Sequence, residues 1–283
     1  MTTVAIVGSN GALGAPLIEA ISNTPGYKYP ILVVTRDSSK TTDTDKVKYV
    51  QGSADEPGSL ETIFKSVDVV LNLASVRANW TGILDAVKAA GVKIYVPSEF
   101  GIDYNKYPDF HFLDLKRNHS EAARAVKGLK TVVVQNGVFS EYAIKYPSFL
   151  RLDPATNKAN PINPDAKWST TFITDIADAL AAVLVKPVNE IPDVLELSGS
   201  QLTFRDFYEL YGKKKGVTVE IVPAESVAEA RATVKKNEET NTYDDNAFLL
   251  YLHLLQSENK GILDGVGNKY LSRKFKTLDD AEF

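Results

Sequence analysis

Short apolar runs alternate with amphipathic stretches along the first half of the chain. The runs are rich in β-branched residues, as is typical of strands buried on both faces of a parallel sheet. They lie at residues 4–7, 31–35, 47–50, 67–73, 93–96 and 131–135. Apolar residues at helical spacing follow most of them, over about 13–21, 59–64, 80–90 and 112–126. The alternation predicts an α/β fold: a Rossmann-type, doubly wound parallel sheet with right-handed crossovers.

The pattern changes near residue 145. Residues 151–167 are rich in Pro, Asn and Asp, and shorter elements follow. We predict strands at 169–173, 194–197 and 217–222, and helices at 174–185, 204–211, 224–234 and 243–256. We therefore expect a dinucleotide-binding domain over residues 1–150 and a smaller C-terminal α/β substrate lobe over 151–283. Segments within about 168–200 are expected to return to the main sheet.

Three glycines separate the first predicted strand from the first predicted helix. In a strand–turn–helix unit they allow a sharp turn, a close backbone approach to a phosphate, and close packing of the helix against the sheet. Free N–H groups at the helix start attract an anion. The alternative is an ordinary tight turn. We predict that a dinucleotide is bound by Gly8, Ser9, Asn10, Gly11, Ala12, Leu13 and Gly14.

The end of the second strand bears on the choice of dinucleotide. NAD enzymes usually have an acidic residue here, which binds the ribose hydroxyls. This strand ends in Thr35, and Arg36 follows, with Lys40 nearby. A guanidinium can make forked contacts with a 2′-phosphate, so Arg36 and Lys40 favour NADP(H). A solvated basic loop is the alternative, and Asp37 would serve a ribose if it pointed inward.

Other candidate residues follow later strands. Ligands of doubly wound sheets bind at the carboxyl ends of the strands. We therefore add Ser53 beside the adenine, and four residues near the pyrophosphate and nicotinamide, namely Ala74, Ser75, Asn136 and Phe139. Lys116, on the helix beside these strand ends, is a further candidate for contact with the cofactor. Phe139 and Tyr142 are the candidates for contact with substrate.

The predicted helix over 112–126 carries a lysine on its apolar stripe. The stripe comprises Phe112, Leu115/Lys116, His119, Ala122/Ala123 and Val126, while Arg117, Glu121 and Arg124 are assigned to the outer face. Lysine is rarely buried without a partner or a purpose, although it can also extend its charge from the stripe's edge to solvent. We expect His119 to be hydrogen-bonded and semi-buried rather than catalytic.

The same helix lacks a common catalytic pair. Short-chain dehydrogenases usually have Tyr-x-x-x-Lys here, whereas this chain has Phe112 and Lys116. Two other matches, Tyr211 with Lys215 and Tyr270 with Lys274, lie in the distal half. A reductase built in this way must use Lys116, or a water that it holds, as proton donor and acceptor.

Several of these motifs together resemble a known family. The glycine triplet, Arg36, Lys116 and the stretch Pro97-Ser98-Glu99-Phe100-Gly101 are similar to the atypical short-chain dehydrogenases of the NmrA-like and isoflavone-reductase-like group. Residues 136–142 and Thr174-Asp175-Ile176 extend the resemblance, which is weakest after about residue 235. It implies NADPH, hydride transfer to a small, often aromatic, substrate, and a catalytic role for Lys116. Residues 102–111 match no substrate-defining pattern.

Composition narrows the remaining possibilities. A net charge of −4 with scattered basic residues argues against a nucleic-acid surface. The absence of cysteine excludes disulfides and thiolate chemistry, and the three histidines lack metal-ligand spacing, so we expect no metal. The strand near residue 3 leaves no room for a leader, and the longest apolar run near the middle of the chain, 179–185, is too short to span a bilayer. We expect no membrane partner and a cytoplasmic location.

Three functions compete at this point. The first is an NADPH-dependent reductase of a small aromatic, carbonyl, quinone or ether-type substrate, with Lys116 as proton donor or relay. The second is an NADP(H)-binding redox-sensing regulator without catalysis, which would bind a protein partner and have access to the nucleus. The third is a nucleotide-sugar epimerase, which the missing Tyr-x-x-x-Lys disfavours.

Overall fold

A six-stranded parallel sheet forms the centre of the N-terminal half. The computed structural model describes residues 1–283, except for the side chains of Pro57 and Asp245. The strands are β1 (Val4–Val7), β2 (Ile31–Thr35), β3 (Val47–Gln51), β4 (Val69–Asn72), β5 (Ile94–Val96) and β6 (Lys130–Thr131). Their spatial order is β3-β2-β1-β4-β5-β6, and every pairing is parallel. The predicted fold class is confirmed.

Helices cover both faces of this sheet. They are α1 (Gly14–Asn23), α2 (Pro57–Phe64), α3 (Trp80–Ala90) and α4 (Asp114–Arg124). Leu17 and Ile21 of α1 pack on one face, whereas Leu60 of α2 and Val87 of α3 belong to the core on the other face. Gly91 ends α3 in the left-handed conformation, as its position predicts.

The second half of the chain forms two small sheets and several helices. Its elements are β7 (Val133–Gln135), β8 (Val138–Phe139), α5 (Ser140–Lys145), β9 (Leu152–Asp153), β10 (Lys158–Ala159), β11 (Lys167–Thr171), α6 (Ile173–Leu184), β12 (Val194–Glu196), β13 (Ser200–Thr203), α7 (Phe204–Lys215), β14 (Glu220–Ile221), α8 (Val227–Glu239) and α9 (Asp245–Ser257). The small sheets have the orders β14-β10-β9 and β13-β11-β8. The division of the chain at residue 150 stays a prediction.

Two elements of the second half lie next to elements of the first half. Strand β12 pairs in parallel with β7 in a separate two-stranded sheet, and β7 follows β6 after a single residue. The expected return of residues 168–200 to the main sheet stays a prediction. Helix α6 packs on α1, and the buried Tyr27 hydroxyl donates to the Ala181 carbonyl of α6 at 2.7 Å. The apolar core on this face therefore contains residues from both halves.

Helix α4 differs from its predicted stripe. The helix begins two residues late, after a short 3-10 turn over His111–Leu113. Its buried residues include His119 and Ala123, but Leu115 is 46% exposed. Arg117, assigned to the outer face, is 10% exposed in its side chain. Ala122, also assigned to the stripe, is exposed, so the stripe was wrong at Leu115 and Ala122. The assignment of Arg117 to the outer face was wrong because the loop over 102–110 folds against that side of the helix.

Smaller differences concern polar strands. Strand β13 was missed because Ser200, Gln201 and Thr203 carry little apolar signal. Lys213, Lys214 and Lys215 form the last turn of α7, where cations complement the helix dipole.

No helix among residues 1–283, as far as the structure describes them, is long and apolar enough to cross a membrane.

Candidate active site

The glycine loop leaves β1 and enters α1 as predicted. Gly8 has φ +83°, and a Cβ there would lie 2.5 Å from the backbone N and Cα of Ala74. A Cβ on Gly14 would lie 1.8 Å from the Ser9 carbonyl oxygen. Gly14 therefore permits close packing of the helix against its own loop, and the expected contact with the sheet is not what requires glycine here.

Gly11 faces open space. A Cβ at this position would meet nothing within 4 Å, so no part of the protein fills the volume over the loop backbone. The cap residue of α1, Leu13, makes no side-chain capping bond, and the first turn contains no acidic residue. Together with Ser9, Asn10 and Ala12, these features fit a phosphate that binds to loop and helix N–H groups.

The basic residues after β2 differ in their surroundings. Arg36 is exposed, directly after the last residue of the strand. Asp37 accepts from the Ser39 N–H at 3.1 Å and pairs with Lys40 at 2.9 Å. The hydrogen bond from the Ser39 hydroxyl, at 2.6 Å, and those from Lys40 and the Ser39 N–H lower the pKa of Asp37. Its carboxylate is thus engaged within the loop.

Residues after β3 and β4 lie at the same edge of the sheet. Ser53 donates its N–H to the Ser59 hydroxyl at 3.1 Å and accepts from the Asp55 N–H at 3.2 Å. Ala74 lies against Gly8. The Ser75 carbonyl accepts from the Trp80 indole at 2.9 Å, which anchors the segment to α3.

Lys116 lies beside the segment after β5. Its Nζ donates to the Glu99 carbonyl at 2.6 Å and lies 3.3 Å from the Tyr104 hydroxyl. The ammonium is also 5.1 Å from the centre of the Tyr104 ring. Lys116 is half-buried. The lysine on the apolar stripe therefore has specific partners.

Glu99 is a buried carboxyl next to this lysine. Burial raises its pKa, while a hydrogen bond from the Ser120 hydroxyl and the positive charge of Lys116 act in the opposite direction. Glu99, after β5, and Ser120, on α4, thus form a polar pair at the point where residues 97–101 leave the sheet. Neither Glu99 nor Ser120 was singled out as a candidate, although the family motif contains Glu99.

His119 joins α4 to the strands. Its Nε2 is 2.7 Å from the Tyr95 hydroxyl, which accepts from the Asn72 amide at 3.0 Å. Burial lowers the pKa of His119 to about 4, so the ring is neutral near pH 7. The predicted hydrogen bond of His119 is present, but the residue is buried, at 7% exposure, rather than semi-buried as predicted.

The segment after β7 completes the edge. The Gly101 carbonyl accepts from the N–H groups of Asn136 and Gly137 at 2.8 and 2.9 Å. The Asn136 side chain is fully buried and donates to the Gly137 carbonyl at 3.0 Å, which makes it a support of this turn. Its predicted contact with a cofactor stays a prediction.

Aromatic side chains follow this turn. The rings of Phe139 and Tyr142 meet edge to face, with their centres 5.4 Å apart. Tyr142 also packs against Tyr146 and Phe149, at 5.9 and 6.3 Å. Phe139 and Tyr142 are both partly exposed. The two predicted substrate residues are therefore neighbours within one aromatic cluster.

Arg117 holds the loop over 102–110 in place. Its guanidinium donates to the carbonyls of Tyr104, Tyr107 and Phe110 at 3.3, 2.5 and 3.1 Å, and it pairs with Asp114. Periodicity alone could not show this, since the partners are backbone atoms.

Across the residues that the structure describes, no group of three or more His, Cys, Asp or Glu side chains is placed to hold a metal ion.

Comparison with known families agrees with this architecture. The model of the NmrA-like family matches residues 1–242. The chain belongs to the NmrA-like family. The resemblance inferred from the glycine triplet, the 97–101 stretch and Lys116 is thus confirmed.

Relatives of this NmrA-like protein are named as oxidoreductases. An NmrA-like family domain-containing oxidoreductase of Gibberella moniliformis is 25% identical over 73% of this chain and 75% of its own length. The crystal structure of isoflavone reductase superposes with a TM-score of 0.80 at 19% identity, covering 99% and 97% of the two chains. An NADPH-dependent quinone oxidoreductase of Escherichia coli gives 0.77 at 20% identity, with 98% of each chain covered.

Proposed function

We propose that this NmrA-like protein is an NADPH-dependent reductase that transfers a hydride to a small aromatic, carbonyl, quinone or ether-type substrate. One observation carries the proposal: a half-buried Lys116 ammonium, fixed at 2.6 Å from the Glu99 carbonyl, at the sheet edge where the open glycine loop also lies. The names of the relatives support the same class of reaction.

The residues present fit the cofactor. Gly8 to Gly14 would hold the pyrophosphate, and the exposed Arg36, with Lys40, would bind the 2′-phosphate. Ser53 would border the adenine, while Ala74, Ser75, Asn136 and Phe139 would line the path towards the nicotinamide. When bound, the reduced nicotinamide supplies the hydride.

Lys116 would manage the proton. An ammonium has three N–H donors and no acceptor. Two of them are directed at Glu99 and Tyr104, which leaves one for a substrate oxygen or a bound water. The aromatic cluster of Phe139 and Tyr142 offers a surface on which a flat substrate would stack.

Lys116→Met tests this function, because methionine keeps most of the side-chain volume and removes the charge and the donors. We expect turnover of an accepted substrate to fall by about 10²–10⁴-fold, the typical contribution of a positioned acid or base. The Kd for NADPH should be unchanged. Lys127→Met, at an exposed site after α4, is the matched control. Normal turnover by Lys116→Met would refute the assignment.

A substrate panel separates the reductase from the regulator. The wild-type protein is offered NADPH with carbonyl, quinone and lignan-like compounds. Tight NADPH binding without oxidation by any of them, together with equal affinity for NADP⁺, would favour a redox sensor instead. Turnover of one class would establish the reductase.

The cofactor preference has its own test. NADPH should bind at least about tenfold more tightly than NADH, a difference of about 1.4 kcal/mol. Arg36→Ala should erase most of this difference, and Lys48→Ala, an exposed basic residue of β3, should leave it intact. Equal wild-type affinities would contradict the role of Arg36.

A further inference from the structure

Tyr104 is the one tyrosine hydroxyl in contact with Lys116 within the described part of the chain. It lies on the loop after β5, in the 3-10 turn Tyr104–Lys106, and not on α4. The spacing rule for Tyr-x-x-x-Lys therefore cannot detect it, since the two residues are brought together by the folding of the loop against the helix.

The direction of the hydrogen bond determines which proton is free. Because an ammonium can only donate, the Tyr104 oxygen accepts from Lys116. The phenol's own hydrogen is then left without an acceptor among the described residues. By contrast, Lys116 directs two of its N–H groups at protein oxygens. Tyr104 thus has an uncommitted proton next to a fixed cation.

The hydroxyl is also held at the correct edge of the sheet. A Cβ on Gly101 would lie 2.0 Å from the Tyr104 oxygen, so the hydroxyl rests directly over the Gly101 backbone. Gly101 in turn binds the amides of Asn136 and Gly137. Arg117 fixes the loop from the other side through the Tyr104 carbonyl. Gly101 and Lys116 therefore contact the phenol oxygen itself, and Arg117 holds the backbone of the same residue.

We propose that Tyr104 is the immediate proton donor of the reaction and that Lys116 restores its proton; this rests on the proposed reductase function. For a carbonyl substrate, the bound reduced nicotinamide would supply the hydride for the new C–H bond as the C=O π bond breaks. The Tyr104 O–H bond breaks, and its proton forms the alcohol O–H bond. An N–H proton of Lys116 then passes to the phenolate and regenerates the phenol, and one H⁺ from bulk solvent converts the resulting amine back to the ammonium.

The first experiment uses Tyr104→Phe and measures kcat, KM and the Kd for NADPH with an aromatic aldehyde that the wild type reduces. We expect kcat to fall by about 10²-fold or more, with KM and the NADPH Kd unchanged. Tyr270→Phe, on a 3-10 turn outside the site, is the control. Gly101→Ala keeps both reactive groups but places a methyl group where the hydroxyl lies, so it should also lower kcat.

The second experiment needs no turnover. The protein is labelled with fluorotyrosine, and the ¹⁹F resonance of residue 104 is assigned as the one that is lost in Tyr104→Phe. The chemical shift of this resonance should change in Lys116→Met. It should not change in Lys127→Met. An unchanged resonance in Lys116→Met would show that the contact is absent in solution and would overturn the proposal.

The outcomes distinguish this inference from the proposed function. Full turnover by Tyr104→Phe, while Lys116→Met is inactive, overturns the role of Tyr104 and leaves the reductase standing. A kcat loss matched by a weaker NADPH Kd would make Tyr104 a cofactor-binding residue and would also overturn it. If the wild-type protein fails to oxidise NADPH with every compound of the panel, both the role of Tyr104 and the reductase function are overturned.

Discussion

Replacing Gly11 with alanine should separate cofactor binding from folding. A methyl group at this position meets no protein atom within 4 Å, and the backbone φ lies outside the left-handed region. The substitution therefore introduces no clash and restricts the unfolded chain, which should stabilise the protein by about 0.4–1 kcal/mol. The same methyl group would occupy the space in which a pyrophosphate approaches the backbone. We expect the Kd for NADPH to rise at least about tenfold, or about 1.4 kcal/mol.

Gly8→Ala is the contrasting variant. Its left-handed backbone costs an L-residue about 1–2 kcal/mol. The added Cβ would also press on the backbone of Ala74 at 2.5 Å, and a backbone cannot rotate away. This variant should lose more than about 2 kcal/mol of unfolding free energy, which lowers Tm by several degrees.

Two measurements on each variant decide the matter: urea unfolding without cofactor, and titration of NADPH fluorescence. Gly11→Ala should gain about 0.4–1 kcal/mol of stability and lose affinity for NADPH, whereas Gly8→Ala should lose stability. If Gly11→Ala bound NADPH as tightly as the wild type, the open volume over the loop would not be the phosphate site. A loss of stability in Gly11→Ala would instead refute the geometry of the loop.

Three further predictions follow from buried polar contacts. Burial lowers the pKa of His119 to about 4, while the unfolded imidazole titrates near 6.5, so the free energy of unfolding should decline as pH falls from about 6.5 to 4. Urea unfolding of His119→Gln across this pH range should show a smaller decline than the wild type. Comparing the two proteins cancels the opposite contribution of Glu99, which both contain. Arg117→Lys should lose the forked contacts to the 102–110 loop, so limited proteolysis should cleave that loop faster while Tm changes little. Arg273→Ala removes the guanidinium partner of the fully buried Asp175 carboxylate, which keeps its hydrogen bond from the Lys276 N–H. Because the Arg273 side chain is 43% exposed, the loss in urea unfolding should be about 1.5 kcal/mol, most of which Arg273→Lys should restore.

The main sheet could be predicted because its strands are buried on both faces. Such strands read as continuous apolar runs, and β1 and β2 have the predicted bounds. The second half was harder. Strand β14 is two residues long within the predicted 217–222, because only Glu220 and Ile221 pair with β10. Short, partly exposed strands of this kind are defined by their partners, which a local pattern does not contain.

The candidate site divides in a similar way. Gly8 and Gly11 could be found because glycines between a predicted strand and a predicted helix indicate a nucleotide-binding turn. Lys116 could be found because a charged residue interrupts the apolar stripe of a predicted helix. Tyr104 and Arg117 could not, since their partners are a lysine on another element and a set of carbonyl oxygens. Helical periodicity assigns Arg117 to the outer face of α4, on the assumption that this face contacts solvent. In the structure the loop over 102–110 covers that side of the helix.

The packing of α6 on α1 has a consequence for synthesis of the protein. The core beneath the glycine loop contains Leu17 and Ile21 together with Ile176 and Leu180, and the edge strand β12 is added later still. A nascent chain that has emerged only as far as residue 150 would therefore expose this apolar face to solvent. The glycine loop lies at residues 8–14, but α6, which packs on the helix that follows the loop, ends only at Leu184, so this support is complete only after residue 184 has left the ribosome.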